Sequence, residues 1–417
     1  MPSVWILNHY AQTPAYPGGT RHYELARRLV QQGFDVTVVA SAFHHATRKQ
    51  RTDTQDHDIV EMVEGVRFVW LRSRAEYVSN GAARVRNMVE YACRAWWGGR
   101  TRFARRAPRP DVVLGSSPHL LSALAASRLA RRFRVPFVLE VRDLWPETIV
   151  EMGVLPRRHP LVVVLGLLER HLYRRAARIV SLLPAIGEYL GPRGISPDKV
   201  VMVPNGVDLE AFACDPLHEV SSRMRVVYVG AHGTANGLGN VLAAAGKLVS
   251  PPVAEFHFYG EGPEKAALIC RAKDQGLNNV SFHPVVTKAE VPRLLCAADV
   301  LLLNYARIGI GKYGISPNKL WEYLASGRPV VFAHEASNNP VADSGCGLCV
   351  PPDDPGQLAA AIRKMGRMAL SERQEMGANG VTYVRERHDW NLLAQRMGRM
   401  LMDLVSGSSS RSGEETP

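Results

Sequence analysis

Short apolar runs that alternate with amphipathic segments constrain this chain most. Residues 3–8 read as a strand. After Thr20, an expected N-cap, Leu25, Ala26, Leu29 and Val30 fall on one helical face, and the pattern stops at Gly33. Strand-like runs follow at 35–40, 66–71, 112–115 and 137–141, with helices between them. Strands this short and apolar, separated by helices, form a parallel sheet covered on both faces.

The pattern restarts after Pro204-Asn205-Gly206-Val207-Asp208. Strands are expected at 226–229, 255–259, 280–282, 299–303, 329–332 and 348–350, with a helix near 238–249. A chain of 417 residues exceeds one ordinary core. The reading is an α/β protein of two Rossmann-like lobes, residues 1–203 and 204–389, with parallel sheets facing an inter-lobe cleft. A helix at 390–405 would return to the first lobe, and the Ser/Gly-rich residues 406–417 would form a flexible tail. Ligands of such sheets bind at the carboxyl ends of the strands.

With 46% hydrophobic and 22% charged residues the chain is a soluble globular protein. Its net charge of +12 favours anionic partners. Cys346 and Cys349 form a C-x2-C with no companion pair of zinc spacing, so they read as strand residues in a reduced compartment. MPSVWILNHY lacks a basic n-region and reads as a first strand, not a signal peptide. No apolar stretch approaches the 18 residues of a membrane span.

The stretch GISPNKLWEYLASGRPVV carries the chemistry of the second lobe. Ser316 suits an N-cap, Pro317 the first helical position and Gly327 the C′ position. The helix N-terminus is an anion site through its free N–H groups and dipole. Lys319 in the first turn opposes that dipole unless an anion lies between them. Phosphate is the expected anion, held with Asn318 and Leu320 beside it. Glu322 shares a face with Lys319 and would accept from both ribose hydroxyls. The alternative is a solvated Lys319–Glu322 pair.

SPNKLWEYLASGRPVV resembles the donor-binding signature of family 4 glycosyltransferases, which have the GT-B fold. LLERHLYRRAARIVSLLPAIGEYL, KVVMVPNGVD, FHFYGEGPEKAAL, NNVSFHPVVTKAEVPRLLCAADVLLLN and GLCVPPDDPGQLAAAI resemble further family segments. EVRDLWPE is similar to the branch of N-acetyl-L-fucosamine transferases of surface-polysaccharide synthesis. The resemblance covers residues 3–400 and departs at two places. Gly314 stands where the family often has an acid that contacts the donor sugar. Gly230-Ala231-His232-Gly233-Thr234-Ala235-Asn236-Gly237 stands where an Arg and a Lys are usual. Backbone N–H groups at Gly230, His232 and Gly233 would still meet phosphate, and the missing charge falls to Lys319, helped by Arg307 or Lys312. By the same resemblance the His283 backbone meets the nucleobase.

In the first lobe, Gly18 and Gly19 allow close backbone approach to the donor, while His22 reads as a solvated helix residue. Asp143 is the candidate to orient the acceptor hydroxyl or accept its proton. Arg142 would bind phosphate or pair with Asp143, and Ser117 and His119 would line the acceptor side. The resemblance implies transfer from a UDP-sugar, with retention and without a metal or other cofactor, to a glycan or lipid-linked acceptor in polysaccharide, lipopolysaccharide or capsule synthesis. Alternatives are a UDP-sugar 2-epimerase and a non-catalytic nucleotide-sugar-binding subunit. Residues 84–109 interleave Arg84, Arg86, Arg94, Arg100, Arg102, Arg105, Arg106 and Arg109 with Tyr91, Trp96, Trp97 and Phe103. This suits an anionic membrane surface; no nucleic-acid motif is present. The expected location is cytoplasmic, peripheral on the inner face of a bacterial inner membrane. Oligomeric state is not legible.

Overall fold

A computed structural model describes the chain except residues 17, 46, 52–57, 78–80, 102, 118, 220–222, 308 and 413–417. Arg102 and the end of the expected tail lie outside the described residues. The chain divides into two compact units, Met1–Pro204 with Trp390–Pro417, and Asn205–Asp389.

Unit 1 holds β1 (Ser3–Leu7), α1 (Arg21–Gln31), β2 (Asp35–Ser41), the short pair β3 (Phe43–His44) and β4 (Lys49–Gln50), β5 (Ile59–Val63), β6 (Val66–Leu71) and α2 (Ala82–Gly98). β7 (Val112–Ser116), α3 (Leu120–Phe133), β8 (Phe137–Val141), α4 (Glu147–Glu151), α5 (Pro160–Arg175), β9 (Arg178–Ser181), α6 (Ile186–Leu190) and β10 (Val200–Met202) follow. The sheet order is β10-β9-β8-β7-β1-β2-β6-β5. All neighbours are parallel except β5 and β6, an antiparallel hairpin. Its turn residues Glu64 and Gly65 both have positive φ, 47° and 79°, as the tight turn of a twisted hairpin requires. The order reverses between β1 and β7, so their carboxyl ends form a crevice.

Unit 2 holds β11 (Met224–Val229), α7 (Leu238–Gly246), β12 (Ala254–Tyr259), α8 (Lys265–Asp274), β13 (Val280–His283), α9 (Val291–Cys296), β14 (Val300–Asn304) and α10 (Asn318–Ala325). β15 (Val330–Ala333), α11 (Pro340–Ser344), β16 (Gly347–Val350), α12 (Pro355–Arg367) and α13 (Leu370–Arg387) complete it. Its sheet runs β13-β12-β11-β14-β15-β16, all parallel. This is the doubly wound order whose switch point lies between the first and fourth strands, here β11 and β14. Apolar clusters cover both faces, one built on Phe256, Phe258 and Leu302, the other on Leu301, Leu303, Trp321 and Tyr323.

The last helix, α14 (Trp390–Ser412), packs against α1 in unit 1. Trp390, Leu393, Met397 and Leu401 enter the core that also holds Leu25 and Leu29. The helix runs past residue 405, where a flexible tail was expected, because no Pro breaks the segment. Leu393→Ala should cost about 2–5 kcal/mol from the cavity it leaves. Urea unfolding checks this, and a loss under ~1 kcal/mol would show that α14 contributes little to the core.

Two other expectations fail. Cys214 and Cys296 form a disulfide, so the cysteines are not all reduced. Their separation of 82 residues hid the pairing. Thr20 precedes α1 but makes no side-chain cap; only its carbonyl engages, accepting from Glu24 N at 2.9 Å.

Candidate functional site

At the switch point of unit 2, Gly230 follows β11 and begins a loop that returns as a short 3-10 turn, Thr234–Asn236. Asn304 of β14 pins this turn, donating to Asn236 O at 2.8 Å and Gly237 O at 3.1 Å. α10 begins beside it. Lys319 extends from its first turn to donate to Asn236 Oδ1 at 2.8 Å and to the Tyr228 hydroxyl at 3.0 Å. The third ammonium proton has no partner among the described residues. The ammonium also lies 4.7 Å from the Tyr228 ring centroid and 5.6 Å from that of Tyr305.

A Cβ at Gly230 would come within 2.9 Å of Lys319 Nζ, and Gly230 has φ +155°. Glycine there makes room for the ammonium. No carboxylate pairs with Lys319 among the described residues, and burial pushes its pKa down to about 7. The site is an underneutralised cation beside a helix N-terminus, an arrangement that an anion completes.

Glu322 does not meet Lys319. Its carboxylate pairs with Lys288, in the connection between β13 and α9. Lys319 points back to the Gly230 loop, so the i,i+3 pair is not made. Ser316 is not the N-cap either. Pro317 occupies that position without a side-chain cap, and Ser316 Oγ instead accepts from Asn205 N at 2.9 Å. The Leu320 side chain is fully buried in the core, and its N–H bonds Pro317 O. Asn318 opens α10.

His232 is fully buried, and neither ring nitrogen has a hydrogen-bond partner among the described residues. Its backbone is locked by His232 N to Glu261 O at 2.8 Å, and Gly233 stands next to it. The His283 ring stacks on Tyr259 at 4.2 Å, and its carbonyl accepts from Lys265 Nζ at 2.9 Å. Gly314 is buried with φ +95°. An acid restored there would adopt a strained backbone.

In unit 1, Glu140 at the end of β8 is fully buried. It accepts from Arg21 Nε at 2.8 Å, His22 Nε2 at 2.7 Å and Ser116 Oγ at 2.5 Å. Burial alone would raise its pKa, but Arg21 and His22 hold the carboxyl well below the usual range. Arg21 also donates to Pro204 O at 2.6 Å and Val203 O at 2.7 Å. His22 is therefore buried, not solvated: the face of α1 that carries it turns onto the strand ends.

His9, just past β1, is sandwiched between Tyr10 and Tyr91 at 4.4 and 4.5 Å. Its Nδ1 lies 2.7 Å from His119 Nε2. His119 caps α3, its Nδ1 accepting from Ser122 N at 3.3 Å. Ser117 Oγ accepts from Arg142 N at 3.1 Å. Arg142 and Asp143 form no ion pair among the described residues; Arg142 is half-buried, and Asp143 keeps exposed surface while desolvation raises its carboxyl above the usual value, against the pull of Arg142. Gly18 is exposed and Gly19 half-buried before α1.

With this geometry, a model described as a glycosyl transferase 4-like domain matches residues 18–206, and one described as glycosyl transferases group 1 matches residues 223–367. The chain belongs to the family 4 glycosyltransferases. WcaI of Escherichia coli (strain K12), whose name assigns it to colanic acid biosynthesis as a glycosyl transferase, is 25% identical over 278 residues. The match spans 63% of this chain and 68% of WcaI. Sucrose-phosphate synthase of Thermosynechococcus elongatus superposes with a TM-score of 0.76 at 17% identity, covering 98% of this chain and 100% of that one. HepE of Anabaena, solved with UDP and glucose, gives 0.67 at 14%, covering 97% and 100%. The fold is GT-B. This glycosyltransferase belongs with those of polysaccharide and glycolipid biosynthesis.

Sequence reasoning missed Glu140 as the hub of a buried network, and His9 altogether. The signal for Glu140 was an acid inside an apolar strand, FVLEV. His9 gave none, since its neighbours Tyr91 and His119 are distant in sequence.

Proposed function

We propose that this glycosyltransferase moves a sugar from a UDP-sugar to a hydroxyl of a glycan or lipid-linked acceptor, with retention and without a metal ion. Lys319 carries the reading: a partly buried ammonium at a sheet switch point, with no carboxylate partner among the described residues. The donor diphosphate sits against Lys319, the Gly230 loop and the start of α10. Glu322 takes the ribose diol in place of Lys288, and the His283 segment borders the base. The bond from the anomeric carbon to the diphosphate oxygen breaks, and Lys319 stabilises the charge left on that oxygen. The acceptor oxygen bonds the same face of that carbon and its proton passes to Asp143, with Arg142 and Ser117 beside it. The structural supports of His119 make it a positioning residue. The DLWPE motif favours an N-acetylated deoxyhexosamine as the donor sugar.

The basic stretch at 84–109 is narrower than its sequence indicates. Tyr91 and Phe103 are buried, Arg84 stacks on Tyr10 and Arg94 pairs with Glu90. The exposed residues of the stretch include Val85, Arg86, Val89, Trp97, Arg100, Arg105, Arg106 and Arg109. This face suits an anionic lipid surface at the cytoplasmic side of a membrane.

Thermal shift with a panel of nucleotides tests the donor class. UDP and UDP-sugars should raise the melting temperature by mass action, while GDP-sugars should not. Absence of a shift with every UDP compound would defeat the reading. Anomeric NMR of the product tests retention.

A further inference from the structure

The outward face of α5 has no account in the transfer reaction. α5 covers β8 and packs on α3, which also packs on α2, so the three helices cover one face of the unit 1 sheet. Its inner face buries Val162, Glu169, Leu172 and Tyr173. Its outer face is also apolar for two turns: Leu161, Val163, Val164 and Leu167 are all exposed, the last two at 60% and 64%. Met152 and Val154 in the preceding connection are exposed as well. Of the fourteen large hydrophobic residues exposed among the described ones, six fall between positions 152 and 167. A helix apolar on all sides is a buried helix. One side of α5 is buried by the sheet, and the described chain covers nothing of the other.

The charges beside this face select its partner. Arg157 and Arg158 precede it, and Arg170, Arg174 and Arg175 follow on the last turns, all exposed. Arg157 is paired with Glu147, just before the segment, which leaves four arginines to face outward. Within 152–175 the one acid is Glu169, which is buried and bonded to Tyr173 and Tyr189. We propose that the outer face of α5 docks on an anionic lipid bilayer, its apolar turns entering the acyl boundary and its arginines meeting headgroup phosphates. A second copy fits poorly, because a two-fold interface here sets one arginine cluster against its duplicate. A membrane span is excluded for α5: no helix among the described residues is long and apolar enough to cross a membrane. This docking surface goes beyond the donor site and does not depend on it.

Sedimentation of the full chain with vesicles tests the proposal. It should pellet with phosphatidylcholine–phosphatidylglycerol vesicles and stay in solution with phosphatidylcholine alone. The double substitution Val164→Asp/Leu167→Asp should weaken pelleting at least tenfold. Arg170→Glu/Arg174→Glu should do the same, and wild-type pelleting should fall with added salt. Unchanged melting temperatures show that the variants fold. The proposal is overturned if the Asp variant pellets like wild type, or if wild type binds neither vesicle. It is also overturned if gel filtration shows a dimer that the Asp substitutions dissociate. Failure of the nucleotide screen would leave these results standing.

Discussion

Lys319→Ala is expected to lower turnover with the donor roughly 10²–10³-fold, the scale of losing one group that meets charge developing in the transition state. The fold should survive. In the free protein Lys319 is a desolvated cation whose pKa lies at about 7, so its removal relieves a strain on the native state. Between about pH 7 and the ordinary lysine value near 10.4, the unfolded chain holds a proton that the folded chain has released. Wild-type stability therefore rises with pH across that window, and the alanine variant should lack that slope. Lys319→Arg should not rescue activity, because the larger guanidinium has to occupy the space that glycine at 230 leaves for one ammonium. Steady-state kinetics with urea unfolding on the same variants checks both halves. Near-normal turnover in Lys319→Ala would remove Lys319 from the mechanism.

The same lysine sets the pH dependence of donor binding. A bound diphosphate raises its pKa, so binding takes up a proton whenever the free lysine is neutral. Affinity should be flat below about pH 7 and fall above it, by up to tenfold per pH unit, until the bound form titrates. Calorimetry in buffers of different ionisation enthalpy reads the proton uptake directly. Equal affinity at pH 6.5 and 8.5 would contradict a neutralised Lys319.

The elements were legible because they are local. The second sheet reads almost strand for strand from its apolar runs, and Gly327 with φ +66° ends α10 where the sequence placed the stop. What failed depended on side-chain direction or distant pairing. Lys319 and Glu322 are three residues apart, yet one reaches Asn236 and the other Lys288, and no periodicity encodes that split. Ser316 has the chemistry of a cap but serves Asn205, 111 residues away in sequence. His22 carries the composition of a solvated residue. Its burial follows from an acid on β8, 118 positions on. Tyr91 and Phe103 looked like surface aromatics because the basic residues around them are on the surface.

That same burial makes Glu140→Ala the substitution with the largest expected effect on stability. Arg21 and Glu140 are both fully buried, and removing one member leaves an uncompensated charge, at a cost of about 3–5 kcal/mol. The loss reaches further than one pair. Arg21 also holds the carbonyls of Val203 and Pro204, and Ser116 and Asn8 hang on the same carboxylate through Ser116 Oγ. The sign against pH follows from the native carboxyl being held below its ordinary range. Glu140 contributes fully above about pH 4.3, and the contribution is lost as pH falls through its depressed native value. His22, kept neutral by burial, adds a loss that begins below its ordinary value near 6.5. Urea unfolding from pH 7 to pH 3 should show wild type losing stability toward acid, with Glu140→Ala starting lower and losing less below pH 4.3. If the pair is only a local strut, Arg21→Met/Glu140→Leu should recover most of the loss, because an apolar pair needs no compensation. If the arginine is needed for the Val203–Pro204 carbonyls, that double variant should remain as weak as Glu140→Ala. A Glu140→Ala protein as stable as wild type at pH 7 would mean that water, not Arg21 and His22, satisfies this carboxylate.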